Sequence, residues 1–135
     1  MSSNPLHPPT PDSPVLPTFL RAFDINKAGA PLDVLERVGH AFARLPYENL
    51  TKIIRQAETG NTAEARRIPS EVLADHLQFG AGGTCFSLTA TLLYLVRALG
   101  FEAQPILADR PYGTNTHCAL LVWIVGEPHL LDQAF

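Results

Sequence analysis

The chain has 135 residues and a mass of 14.7 kDa, the length of one ordinary domain, and at this size about two-thirds of the unfolded surface can be buried. Apolar residues make up 46% and charged residues 17%, against a usual charged share of about 25%; this excludes a chain disordered throughout and predicts uncharged surface that meets another segment or subunit. Thirteen acidic against ten basic residues give a net charge of -3, and no cationic cluster exceeds Arg66–Arg67, so nucleic acid is not expected as a partner.

Six of the twelve prolines fall at Pro5, Pro8, Pro9, Pro11, Pro14 and Pro17. Each removes a backbone donor and fixes φ, which predicts a proline-rich tail over residues 1–17. That start lacks the charged head and apolar run of a secretory leader. The longest uncharged apolar stretches, Leu92 to Val96 and Ala119 to Val125, are too short to cross a bilayer. A cytoplasmic setting without a membrane is expected, and a reducing compartment suits Cys85 and Cys118 as free thiols.

A helical subdomain is predicted over residues 18–80. Thr18 is placed to cap a short helix carrying Phe19, Leu20 and Phe23. Pro31 opens a second helix in which Leu32, Leu35, Val38, Phe42 and Leu45 recur at steps of three and four, until Pro46 stops it. The polar stretch from Gln56 to Arg67 contains Gly60-Asn61 and predicts a surface loop. Ser70 then caps a helix presenting Val72, Leu73, His76 and Leu77, which ends near Gly80.

Residues 81–135 form the next unit. Gly80-Ala81-Gly82-Gly83 leads to Cys85 at the mouth of an apolar helix with Leu88, Leu92, Leu95, Val96 and Leu99 on one face, closed by Gly100. After Phe101 the period shortens to two. Gln104 to Ala108 and Thr116 to Val125 are expected as strands on either side of the turn-rich DRPYGTN, and Gly126-Glu127-Pro128 turns the chain into a last strand, His129 to Gln133. Helices followed by an antiparallel hairpin make the fold α+β.

A thiol is a nucleophile as thiolate, and the first turn of a helix stabilises that anion through its unpaired N–H groups and its dipole. Cys85 is so placed. Gly83 and Phe86 are candidate oxyanion donors beside it. Taken as residues alone, Cys85 is equally a small buried hydrophobe, and His117, opening an apolar strand, is either a base for the thiol or a strand-end ring facing water. Asp132 follows two leucines in the last strand and is either a buried partner or a solvent-facing end. If the turn centres on Gly126 and Glu127, His117 and Asp132 share a sheet face but stand four residues out of register, about 13 Å along a strand. Pairing them then requires a bulge, a strong twist or a different turn. Cys118 points to the opposite face and is expected in the core. No metal site is expected: His7, His40, His76 and His129 are scattered, and Cys-x-x-Cys and His-Glu-x-x-His are both absent from the sequence. The glycine run lacks the Lys-Ser/Thr ending of a phosphate loop.

LPYENL (Leu45 to Leu50), GGTCF (Gly82 to Phe86), LGF (Leu99 to Phe101), HCALLV (His117 to Val122) and LLDQAF (Leu130 to Phe135) together resemble the arylamine N-acetyltransferases, in order and spacing, from about Phe19 onward. The resemblance implies a Cys-His-Asp triad of Cys85, His117 and Asp132 in a papain-like or transglutaminase-like fold, a helical bundle followed by a catalytic helix and the antiparallel strands of a partial β-barrel. It further implies acetyl-coenzyme A as acetyl donor, an arylamine or hydrazine as acceptor, and a Cys85 thioester in a ping-pong transfer, with no metal. The family's Arg before Gly-Gly is Ala81 here, its Glu after Cys-Phe is Ser87, and the Asn two residues further is Thr89. Family members are much longer, which implies a truncated or split member with a missing C-terminal segment, or a homo-oligomer that covers the unfinished sheet.

Two other functions fit the same residues. One is a transglutaminase-like cysteine hydrolase acting on an amide or thioester. The other is an inactive, partner-dependent remnant whose sheet edge pairs with another chain.

Overall fold

The computed structural model describes residues 14–61 and 67–132. Pro5 to Pro11 of the expected tail, His7, Arg66, and Gln133 to Phe135 of the last motif lie outside the described residues. Five helices precede three strands: α1 (Val15–Ala22), α2 (Pro31–Phe42), α3 (Leu50–Thr59), α4 (Pro69–Phe79), α5 (Cys85–Ala98), β1 (Glu102–Arg110), β2 (Gly113–Ile124) and β3 (Glu127–Leu131). The α+β class expected from the sequence is the one observed.

Besides Ser70, which lies inside α4 with Ile68 at the N-cap position, two expectations about the helices are corrected. The first helix begins at Val15, so Pro17 and Thr18 are helical rather than the end of a tail and a cap. Pro17 is tolerated there because first-turn N–H groups have no intrahelical acceptor. The Thr18 hydroxyl turns back to donate to the Pro14 carbonyl at 2.9 Å. The second correction is α3, which occupies part of the stretch expected as a loop. Its Leu50, Ile53 and Ile54 are 68%, 54% and 57% exposed, and it buries no residue, so its stripe is not part of a core pattern. Glu48 supports its first turn by accepting from the Thr51 N–H at 3.0 Å and the Thr51 hydroxyl at 2.6 Å. Gly60 ends it at φ +67, a left-handed conformation natural to glycine.

Helix α5 is the centre of the molecule. It packs on α4 and α2 and on β1 and β2, and Leu88, Leu92, Leu93, Leu95 and Val96 are each at most 2% exposed. A helix apolar on nearly every side is one enclosed by other elements. The one-faced pattern expected from the sequence is therefore a wrapped helix, with Thr91 satisfying its hydroxyl on the Ser87 carbonyl at 2.7 Å. Phe19, Val38, Phe42, Val72, Leu73, Leu120 and Val122 complete the core from the other elements.

The strands form an antiparallel sheet in the order β1-β2-β3. Between β2 and β3 the pairs run from Leu120 with Leu131 to Ile124 with Glu127, leaving Val125 and Gly126 as a two-residue turn. Their φ values are +50 and +77, the geometry of the hairpin turns that match strand twist. Gly126 suits this. Val125 does not, since a β-branched residue at positive φ meets its own carbonyl, and it is 92% exposed with no packing to offset that strain. Val125→Asn is expected to stabilise the fold by about 1 kcal/mol, seen as a higher urea midpoint at an unchanged m-value.

Candidate active site

The loop before α5 is held from three sides. The Gly83 N–H donates to the Pro46 carbonyl at 3.1 Å, and the Glu48 N–H donates to the Gly83 carbonyl at 2.9 Å, a short parallel bridge between Tyr47 and Gly83. At Gly82 the two backbones lie so close that a Cβ would collide with the Pro46 carbonyl. Nδ1–H of His76 donates to the Ala81 carbonyl at 2.8 Å, with its ring stacked on Phe23.

From the third side comes Arg67, 5% exposed. Its Nη1 donates to the Gly82 carbonyl and to the Thr51 hydroxyl at 2.7 Å. Its Nη2 pairs with the Asp75 carboxylate at 2.9 Å, and Glu48 stands 3.9 Å from Nη1. Burial pushes the Glu48 carboxyl up, but the hydrogen bonds from Thr51, the Arg67 charge and the Gly82 backbone outweigh it and leave the group below its ordinary range. Sequence reasoning missed Arg67 because residue 67 sits at the end of a polar stretch, and Ala81 occupies the place where the resembling motif carries arginine. The guanidinium that reaches the Gly-Gly turn comes from another part of the chain.

Cys85 opens α5 behind Thr84, whose backbone is extended. The first intrahelical bond runs from the Leu88 N–H to the Thr84 carbonyl at 2.9 Å. The N–H groups of Cys85, Phe86 and Ser87 therefore precede the ladder, at the positive end of the helix dipole. Gly83 is corrected as a candidate oxyanion donor, since its N–H is held by Pro46. Phe86 keeps its place at the helix mouth. Cys118 is buried, as expected, with Sγ 3.4 Å from the Cys85 carbonyl and 3.2 Å from the Thr89 hydroxyl. Burial, then the nearby Cys85 and Asp132, push the Cys118 thiol up to about 11 against a lowering by Thr89, so it stays protonated at neutral pH. This contact ties the mouth of α5 to the strand that carries His117.

His117 and Asp132 come together. Nε2 of the ring lies 2.6 Å from Asp132 Oδ2, with side chains 7% and 14% exposed. The turn explains the contact: it reverses one residue earlier than expected, and extending the observed ladder places Asp132 opposite Ala119. The offset from His117 is then two residues, about 7 Å along the strand, within reach of a diagonal pair of side chains. A second neighbour was not foreseen. Nη2 of Arg110 lies 2.8 Å from His117 Nδ1, so both ring nitrogens have a hydrogen-bonding neighbour other than the Cys85 thiol. Arg110 reaches the ring because Ala108 stands opposite His117 and an irregularity at Asp109 shifts the ladder before Arg110. Among the described residues no three His, Cys, Asp or Glu side chains gather as a metal site, and no helix is long and apolar enough to cross a membrane.

No protein-family model and no curated protein sequence matches the chain. Solved structures do. One is an arylamine N-acetyltransferase of Bacillus cereus described with a unique Cys-His-Glu catalytic triad, at a TM-score of 0.64 and 19% identity. Another is arylamine N-acetyltransferase C of Bacillus anthracis, at 0.65 and 17%. Each match covers 89% of this chain and 48% of the other; the chain thus spans about half the length of the structures it resembles. The likeness establishes a shared fold, and its owners are the family that the five motifs resemble.

Replacing Arg67 by Met would strand Asp75 and Glu48 beside an apolar side chain. We expect a loss of about 2–3 kcal/mol in urea unfolding, and slower alkylation of Cys85 as the Gly-Gly turn loosens. Because the folded Glu48 carboxyl is held below its unfolded value, its contribution is present above pH 4.5 and is lost as pH falls through the lower folded value. The wild type should therefore lose stability in acid more steeply than Arg67→Met.

Proposed function

We propose that this chain carries the Cys-His-Asp centre of an acetyl-coenzyme A-dependent arylamine N-acetyltransferase. The observation that supports it most is the buried 2.6 Å contact between His117 Nε2 and Asp132 Oδ2, on the strand whose next residue, Cys118, touches the backbone of Cys85. In this reading the three strands begin a β-barrel of the papain-like or transglutaminase-like type, with α5 as its catalytic helix.

Asp132 accepts the Nε2 proton, which leaves Nδ1 as the basic nitrogen and steadies the ring once it is charged. His117 takes the Cys85 proton. The thiolate attacks the acetyl carbonyl, the carbon–sulfur bond to coenzyme A breaks, and His117 returns the proton to the departing coenzyme A thiolate. An arylamine or hydrazine nitrogen then attacks the Cys85 thioester, loses its proton to His117, and releases Cys85 as thiolate. The N–H of Phe86 at the helix mouth supports the oxyanion in both halves. No step in this scheme calls on a metal.

Incubation with acetyl-coenzyme A, followed by intact mass and peptide mapping, should place one acetyl group on Cys85, and none on Cys85→Ala. A folded protein that takes up no acetyl group would overturn the proposal, and hydrolysis of amides without coenzyme A would favour the hydrolase. Asp132→Asn keeps the shape but no longer orients the ring, and should slow acetylation by roughly 10³ to 10⁴, measured as the pre-steady-state rate of adduct formation.

A further inference from the structure

The ring nitrogen that must receive the thiol proton is already engaged. A guanidinium remains protonated in proteins and can only donate, so the 2.8 Å contact between Arg110 Nη2 and His117 Nδ1 requires Nδ1 to present its lone pair. The ring proton then sits on Nε2, where Asp132 accepts it. Arg110 comes from the end of β1 and Asp132 follows β3, and they approach the imidazole from the two strands that flank β2. With the guanidinium in place, a proton on Nδ1 would set an N–H against an N–H.

We propose that Arg110 is a latch on His117: while it donates to Nδ1 that lone pair is occupied and cannot take the Cys85 proton, and the thiol is activated when the guanidinium swings away. The inference rests on the function proposed above only in taking His117 as the base for Cys85. Among the described residues, Arg110 from β1 and Asp132 after β3 bond the ring, Cys118 stands beside it on β2, and the Cys118 thiol in turn touches the Cys85 carbonyl at the mouth of α5. Cys118, held as a thiol, adds no charge at neutral pH. Arg110 is half-buried at the turn end of the β1–β2 hairpin, where it pairs with Gly113 and its chain neighbours Asp109, Pro111 and Tyr112 are exposed. Arg110 is thus a positioning residue, acting through the ring.

Two measurements on the full chain test this. Nitrogen-15 NMR of labelled histidine, assigned with His117→Ala, should show the wild-type ring near pH 7.5 protonated at Nε2 and not at Nδ1; a proton on Nδ1 overturns the latch. Alkylation of Cys85 by iodoacetamide is then followed across pH in Arg110→Met, which removes the donor, and Arg110→Lys, which keeps one. Arg110→Met should react about tenfold faster at pH 6.5, the gain in thiolate from one unit of pKa. Arg110→Lys should follow the wild type. An unchanged or slower rate in Arg110→Met overturns the proposal, as does a gain that survives in Arg110→Met/His117→Ala. Neither measurement uses acetyl-coenzyme A, so a failure of acetyl transfer leaves these outcomes readable on their own.

Discussion

The contact between His117 and Asp132 depends on where β2 reverses into β3, because each one-residue shift in the centre of a two-residue turn moves every cross-strand pair by two positions. With Val125 and Gly126 at the corner, Asp132 arrives diagonally beside His117. A reversal one residue later would leave the pair four positions apart, beyond the reach of an aspartate side chain. That the corner holds a β-branched residue at positive φ shows that sheet pairing and core packing, rather than turn preference, set the register. Leu120 and Val122, both fully buried, fix which face of β2 meets α5.

The nucleophile's surroundings are governed by a similar constraint on backbone approach. Gly82 lies against Pro46 at a distance only a residue without Cβ permits. Arg67 then neutralises the crowding of carbonyls and carboxylates that this approach creates, bonding the Gly82 carbonyl and pairing with Asp75 and Glu48. Burying a guanidinium is unfavourable unless its donors are met, and here hydroxyl, carbonyl and carboxylate partners meet them. The consequence is a fixed entry angle for α5, and so a fixed position for Cys85 at its first turn.

The charges around His117 oppose one another across the sheet. Asp132 accepts from one ring nitrogen and Arg110 donates to the other, so the tautomer of His117 is set from both strands that flank β2.

Much of the architecture was legible in the chain itself. The periodic apolar residues of α2 and α4, the glycine stops at Gly80 and Gly100, and the alternation after Phe101 marked the α+β class, and five short motifs named the fold family that solved structures share. Those signals are local, written in steps of two or three to four residues. Helix α3 escaped because it buries none of its residues, so its apolar stripe answers to nothing within the described fold. Arg67 and Arg110 escaped because no spacing links residue 67 to residue 82, or residue 110 to a ring nitrogen on the next strand. Only the folded chain determines those contacts: which guanidinium meets which carbonyl follows from strand register and loop approach, and those are settled when the core closes around α5.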